Sequence, residues 1–238
     1  MISLSLCGIR GGVGTTSLLA AMGHALNRLD QRVLLVELCP ENVLGLHFNL
    51  AAREAEGWAR AMLDGQDWHR QAWQLAPGLC LLPYGRLDEA EQLRVEQRLL
   101  ASPREWNKRL AQLAGQFDWV LFDLPQRLPG HVGSIRGDVR IRVLAPDMAC
   151  HVLLQRQGEE GFLLVNGYDS ASRLQQDLLL VWRQHHGERV VPVVVHRDEA
   201  MGEALACKQS VIGYAPQSLV TEDAISLATW CLSREAAC

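Results

Sequence analysis

The amino-acid sequence predicts an α/β fold: a doubly wound, mostly parallel twisted sheet with helices on both faces. The first observation is an alternating apolar run over Ile2–Leu6, which indicates a strand and leads into a glycine-rich turn. The second is a set of apolar residues at helical spacing, from Leu18 to Leu29. The third is the continuous apolar run Arg32–Leu38, typical of a strand buried on both faces of a parallel sheet. Together these segments form a right-handed βαβ unit.

The remaining elements follow from apolar runs and helical periodicity. We predict further strands at Leu79–Pro83, Trp119–Pro125, Arg140–Ala145, Gly161–Asn166 and Val190–Val195. We predict helices at Asp88–Leu100, Arg104–Leu113 and Glu222–Ser233, and an apolar helical stripe of Leu174, Leu178, Leu179 and Trp182. Ser102 is the candidate N-cap before Pro103, and Gln126–Gly137 is predicted to be a mobile loop.

Composition narrows the class of protein. Hydrophobic residues make up 48% of the 238 residues, and no linker or repeat interrupts them, so we expect one domain over residues 1–238. A formal net charge of −4 argues against a nucleic-acid-binding protein, which is usually basic. The seven cysteines contain no C-x-x-C pair, which indicates neither a zinc site nor a disulfide framework. The apolar runs are too short to span a membrane, and the sequence shows no basic-then-apolar leader at Met1. From these two observations we predict a cytoplasmic protein.

The segment Cys7–Ser17 is the most informative one. A strand, a glycine-rich turn and a helix start form an anion site, because backbone N–H groups and the helix N-terminus converge on one point. The Walker A pattern requires Gly, four residues, Gly, Lys and then Ser or Thr. Gly14 and Thr16 match this pattern, whereas Ile9 replaces the first Gly and Thr15 replaces the Lys. We favour a phosphate-binding loop over an ordinary glycine turn.

A dinucleotide-binding enzyme is the first alternative. Glu37 closes the second strand, where a ribose-binding acid would lie. However, no spacing of the loop glycines gives the full G-x-G-x-x-G pattern. A second alternative is a scaffold that binds no nucleotide.

A carboxylate closes the apolar strand at Trp119–Pro125. Asp123 would lie at the carboxyl edge of the sheet, where doubly wound folds bind their ligands. It resembles the end of a Walker B strand, in which an Asp holds Mg²⁺ through water while a hydroxyl, here that of Thr16, binds the metal directly. The metal-linked role is favoured over that of a simple strand-ending Asp.

The loop sequence Arg-Gly-Gly-Val-Gly-Thr-Thr resembles the deviant Walker A loop of the MinD/ParA-type ATPases, whose usual form is Lys-Gly-Gly-Val-Gly-Lys-Thr. The segments Gly57–Trp68 and His196–Met201 are similar to one branch of them, the BcsQ family of bacterial cellulose synthase operons. The resemblance runs almost end to end and implies ATP and Mg²⁺ as cofactors. Implied nucleotide-binding residues are Arg10, Gly11, Gly12, Val13, Gly14, Thr15, Thr16, Ser17, Asn166 on the adenine edge and Arg197 in the adenine-side loop.

Departures from the family pattern put hydrolysis in doubt. Arg10 stands at the signature lysine, which reaches across a dimer to the partner's nucleotide, and Thr15 stands at the ordinary P-loop lysine. Cys39 stands where the family has an Asp that positions the attacking water, and a neutral thiol cannot do this. We therefore expect nucleotide binding with weak or no hydrolysis, and we assign no catalytic residue.

The resemblance also implies partners. These are a second copy of the chain with ATP at the interface, the small operon partner BcsR, the subunit BcsE and, through them, the inner-membrane cellulose synthase. The end of the chain, Ser233–Cys238, lacks the basic residues of a membrane-binding helix, so recruitment to the inner membrane or cell pole would occur through partners. A scaffold without hydrolysis and a ParA-like positioning ATPase are alternatives.

Overall fold

An eight-stranded sheet runs through the residues that the computed structural model describes, which are 1–50, 56–156 and 160–235. The strands are β1 (Ile2–Gly8), β2 (Val33–Glu37), β3 (Trp73–Ala76), β4 (Leu79–Leu82), β5 (Trp119–Leu124), β6 (Val139–Leu144), β7 (Phe162–Tyr168) and β8 (Val195–His196). The helices are α1 (Thr15–Arg28), α2 (Trp58–Asp64), α3 (Glu89–Ala101), α4 (Glu105–Gln112), α5 (Pro129–Gly133), α6 (Met148–Arg156), α7 (Arg173–His186), α8 (Ala200–Ala206), α9 (Val211–Tyr214) and α10 (Leu219–Glu235).

The strand order is β3-β4-β2-β5-β1-β6-β7-β8, and only the β3–β4 pair is antiparallel. Every residue of β2 and β5 is buried, as the continuous apolar runs predict for strands covered on both faces. Because β1 lies between β5 and β6, its end is surrounded by the ends of parallel neighbours. The loop after β1 therefore opens at the carboxyl edge of the sheet, where ligands bind in such folds.

Two apolar clusters, one on each face of the sheet, confirm the predicted fold class. One cluster joins α1, α6, α7 and α10 to the strands and includes Leu18, Leu26 and Trp182. The other joins α2, α3 and α4 to the strands and is built around Trp58 and Trp106, both fully buried. The helices thus cover both faces, and the sheet edges carry the shorter strands.

Some sequence predictions for local structure are wrong. The predicted strand Val190–Val195 is reduced to an isolated bridge at Val190 and the two residues of β8, because Pro192 has no N–H to donate to a ladder. Ser102 does not begin a helix: it follows the end of α3, and Arg104, with φ 61°, precedes α4.

Two further predictions fail at the surface. The segment Gln126–Gly137 contains the short helix α5 rather than only loop. Leu174 is 53% exposed and so lies outside the core formed by the rest of its stripe. Among the described residues, no helix combines the length and apolar character needed to cross a bilayer.

The close approach of α2 to the chain after β4 gives a stability prediction. A Cβ on Gly57 would lie 2.2 Å from the Gly85 nitrogen and 2.4 Å from the Tyr84 carbonyl carbon, both main-chain atoms. We expect Gly57→Ala to lower the free energy of unfolding by roughly 1–3 kcal/mol, measured by urea denaturation. Gly202→Ala in α8 is the control, because nothing lies within 4 Å of its Cβ position. Equal stability of the two variants would contradict the prediction.

Candidate functional site

The loop between β1 and α1 forms one wall of a cleft of about 620 Å³. Gly12 and Gly14 have φ of 76° and 82°, in the left-handed region that favours glycine. Gly14 is the N-cap of α1 and has no side chain to accept from the first-turn N–H groups. These N–H groups and the positive end of the helix dipole are therefore available to an anion. All eight predicted loop residues, 10–17, line the cleft.

The two predicted metal-linked residues meet at the base of the cleft. The Thr16 hydroxyl donates to Asp123 Oδ2 over 2.7 Å, although the residues lie 107 positions apart. Burial raises the pKa of Asp123 to about 7; the Thr16 hydrogen bond opposes this shift and the nearby Glu41 adds to it. Hydroxyl and carboxylate oxygens suit Mg²⁺. No group of three or more His, Cys, Asp or Glu side chains among the described residues could hold a metal ion, so this pair would need phosphate oxygens to complete a site.

The turn after β2 brings a thiol and a carboxylate to the cleft. Cys39 Sγ lies 3.0 Å from Glu41 Oε2, and both residues line the cleft. Burial, with the negative charge of Asp123, raises the pKa of Cys39 well above its usual value, so its sulfur stays a neutral donor. Glu41, two residues further along the chain, is therefore the carboxylate that contacts the Cys39 thiol in this turn.

Glu37 does not support the dinucleotide alternative. Its side chain is fully buried and is absent from the cleft lining in the described chain. One carboxyl oxygen accepts from the Leu44 N–H over 2.8 Å, and burial raises the pKa of this carboxyl well above its usual value. A ribose hydroxyl in the cleft would not reach an acid held in this way.

Arg10 lies at the rim of the cleft. Its guanidinium forms an ion pair with Asp147 and donates to the Gly11 carbonyl over 2.9 Å. Asp147 follows β6 and accepts from the Cys150 N–H over 2.8 Å, so it also caps the start of α6. The arginine side chain retains 34% of its exposure, which leaves it accessible from outside the chain.

Neither Asn166 nor Arg197 belongs to the cleft lining of the described residues. Asn166 Nδ2 donates to the Val13 carbonyl over 2.7 Å, and a Cβ on Gly14 would lie 2.6 Å from the same nitrogen. Asn166 thus supports the back of the loop. Arg197 is exposed after β8, and its main-chain N–H donates to the Tyr168 carbonyl over 2.8 Å. Their adenine-side roles stay predictions.

The segment that follows β5 is fixed at both ends. Gln126 Nε2 donates to the Ile9 carbonyl over 2.8 Å, which ties the segment to the loop. The buried Glu96 carboxylate of α3 accepts from the N–H groups of Gly130 and His131, over 2.6 and 3.2 Å, and so caps α5. The region predicted to be mobile is therefore anchored to α3.

Four residues that the structure brings to the site have no role predicted from the sequence. Gln92 of α3, Glu41 and Arg127 line the cleft, and Asp147 binds Arg10. The positions of Glu41 and Asp147 after strands, at the carboxyl edge of the sheet, could have indicated them. Gln92 lies in the first turn of α3, and no local pattern marks it.

Comparison with known proteins identifies the family. The family model described as "Cellulose biosynthesis protein BcsQ" matches residues 1–232. The chain belongs to the BcsQ family of cellulose biosynthesis proteins. It is 37% identical over 245 aligned positions to the cellulose biosynthesis protein BcsQ of Escherichia coli K12, covering 98% of this chain and 94% of the relative.

Solved structures confirm the P-loop fold of the MinD/ParA ATPases. A ParA family ATPase from Chlorobium tepidum is 20% identical with a TM-score of 0.74, covering 96% of this chain and 98% of that one. The septum site-determining protein MinD from Pyrococcus horikoshii, solved with Mg-ADP, is 19% identical with a TM-score of 0.73, covering 95% and 94%. At these identities the likeness establishes the fold of this BcsQ family member.

Burial of Asp123 gives a pH-dependent stability prediction. Its pKa is raised in the folded chain, so above about pH 7 folding must bury a carboxylate. In metal-free protein at pH 8, we expect Asp123→Asn to raise the free energy of unfolding by roughly 1–3 kcal/mol. The gain shrinks as the pH falls from 8 to 5, because folded wild-type protein takes up a proton at Asp123.

Urea denaturation in EDTA at the two pH values measures this gain. Asp177→Asn removes an exposed carboxylate in α7 and is the control. It should change the free energy of unfolding by the same amount at pH 8 and at pH 5. A gain for Asp123→Asn that does not depend on pH would contradict the burial argument.

Proposed function

We propose that this chain binds ATP with Mg²⁺ in the cleft beside β1 and acts as a nucleotide-dependent dimer in the cellulose synthase system. The observation that carries the proposal is the Thr16–Asp123 hydrogen bond beside a loop with two left-handed glycines. The MinD relative solved with Mg-ADP supports the choice of ligand. The proposal treats residues 1–238 as one nucleotide-binding domain.

Each predicted site residue has a role in this proposal. Main-chain N–H groups of residues 11–17 would bind the phosphates, since Gly12 and Gly14 allow the loop to curl around them. Thr16 and Asp123 would hold Mg²⁺, which supplies positive charge to the phosphate oxygens when it is bound. Asn166 and Arg197 would contribute to the adenine side from the ends of β7 and β8.

Slow turnover follows from two neutral side chains. Thr15 brings no positive charge to stabilise charge that develops on the phosphates. Cys39 remains a thiol and cannot orient water as a carboxylate would. The site therefore suits a protein that changes its assembly state on binding nucleotide and retains the nucleotide.

Dimerisation would use Arg10. Its side chain is already at the rim of the cleft and partly exposed, and its planar guanidinium matches two phosphate oxygens. To reach a partner's nucleotide, Arg10 would leave Asp147 for the phosphates, exchanging one anion for another. The family resemblance adds BcsR and BcsE as cytosolic partners, through which the dimer would reach the inner-membrane synthase.

Size-exclusion chromatography with light scattering tests the dimer. We expect the mass of the wild-type chain to double on addition of ATP–Mg²⁺, because Arg10 then reaches across the interface. Arg10→Ala should stay monomeric with ATP. Arg136→Ala, which removes an exposed arginine absent from the cleft lining, should dimerise like the wild type. A dimer of Arg10→Ala at the same ATP concentration would rule out this role.

Phosphate release tests the expected lack of turnover. We expect a rate far below roughly 1 s⁻¹, the lower end of ordinary enzyme turnover, because Thr15 and Cys39 are neutral. The double variant Thr15→Lys/Cys39→Asp restores both charged groups and should hydrolyse ATP faster. Wild-type turnover at an ordinary ATPase rate would contradict the proposal.

A further inference from the structure

The charges that line the cleft do not favour a triphosphate. Its ionisable lining residues are Arg10, Cys39, Glu41, Asp123 and Arg127. Arg10 is neutralised by its ion pair with Asp147, and Cys39 is a neutral thiol. A ligand with several negative charges therefore needs a cation from the chain in addition to any metal.

Thr15 cannot supply that cation. Its side chain is short and uncharged, and its hydroxyl lies against the end of β1: a Cβ on Gly8 would come within 2.8 Å of Thr15 Oγ1. The position that holds an ammonium in the ordinary Walker A pattern thus presents a small polar group here.

Arg127 can supply the positive charge that a lysine at position 15 would bring to the cleft. It lines the same cleft, its residue is exposed, and none of the described residues forms an ion pair or hydrogen bond with its guanidinium. A free guanidinium binds phosphate oxygens through two parallel N–H donors, which makes it the preferred cation for bidentate phosphate recognition.

The backbone that carries Arg127 is fixed. On one side, Gln126 donates to the Ile9 carbonyl of the loop over 2.8 Å. On the other side, Glu96 caps α5 through the N–H groups of Gly130 and His131. Because both flanks are held, the arginine is attached at a defined place beside the phosphate-binding loop, and only its side chain must be ordered on binding.

We propose that Arg127 replaces the missing P-loop lysine by binding the terminal phosphates of the nucleotide within the same chain. This inference rests on the proposed function. It separates two arginines by role: Arg127 serves the chain's own nucleotide, and Arg10 serves that of the partner. Glu41, on the turn after β2, lines the same cleft. Its carboxylate would repel the phosphates, which increases the need for a cation from the chain.

Calorimetric titration of the full chain with AMP, ADP and ATP in Mg²⁺ tests the proposal. Arg127→Ala should weaken ATP binding by about 10- to 100-fold, because a charge-assisted contact to phosphate is lost. AMP binding should change by less than about twofold, since its single phosphate lies away from the terminal position. Arg127→Lys keeps the charge but loses the fork, so its loss should be smaller.

Charge rescue distinguishes a phosphate contact from a general disturbance of the fold. Thr15→Lys in the Arg127→Ala background restores the ordinary lysine and should recover most of the ATP affinity. Arg136→Ala is the matched control and should bind all three nucleotides like the wild type. Thermal melting of each variant checks that it is folded.

Three results would overturn the inference. One is an ATP affinity of Arg127→Ala equal to that of the wild type. Another is an equal loss for AMP and ATP, and the third is a double variant that binds ATP no better than Arg127→Ala. A wild-type chain that binds no ATP would overturn the proposed function itself and the inference with it, whereas failure of Arg127 alone leaves the proposed function standing.

Discussion

The hydrogen bond from Thr16 to Asp123 is the contact on which the site depends. It exists because β1 and β5 pair in parallel, with Leu6 opposite Asp123, so the start of α1 lies over the end of β5. The surrounding apolar strands bury Asp123, and this burial raises its pKa. Burying a carboxylate that has no hydrogen-bond partner or counter-charge costs free energy, and one hydroxyl offsets only part of that cost. In the proposed function, Mg²⁺ would complete this pair when nucleotide is bound.

The proposed function separates nucleotide binding from hydrolysis by where the cleft places its charged side chains. In the proposed function, the loop binds phosphates through main-chain dipoles and Arg127 adds the cation that Thr15 does not supply, whereas hydrolysis also needs a charged group that orients water. Thr15 and Cys39 are neutral, and the arginines lie on the rim and on the segment after β5. In the proposed function, this cleft acts as a nucleotide-dependent assembly switch in cellulose biosynthesis.

The fold could be predicted from the sequence because its signals are local. The apolar runs of β2 and β5 and the glycine loop each occupy a few consecutive residues. The Thr16–Asp123 contact was predictable too, since both residues follow from where strand ends must lie. The anchoring of α5 by Glu96 was not predictable, because that carboxylate comes from another helix and packs by tertiary geometry. The shortened β8 depends on Pro192, whose effect on a marginal edge strand outweighs its β-branched neighbours.

A crystal structure of the full chain grown with ATP and magnesium tests whether the loop after β1 binds the nucleotide. We expect triphosphate oxygens on the main-chain N–H groups of residues 11–17, with a magnesium ion beside Thr16 and Asp123. Nucleotide bound elsewhere on the chain, with the cleft after β1 holding only water, would contradict it.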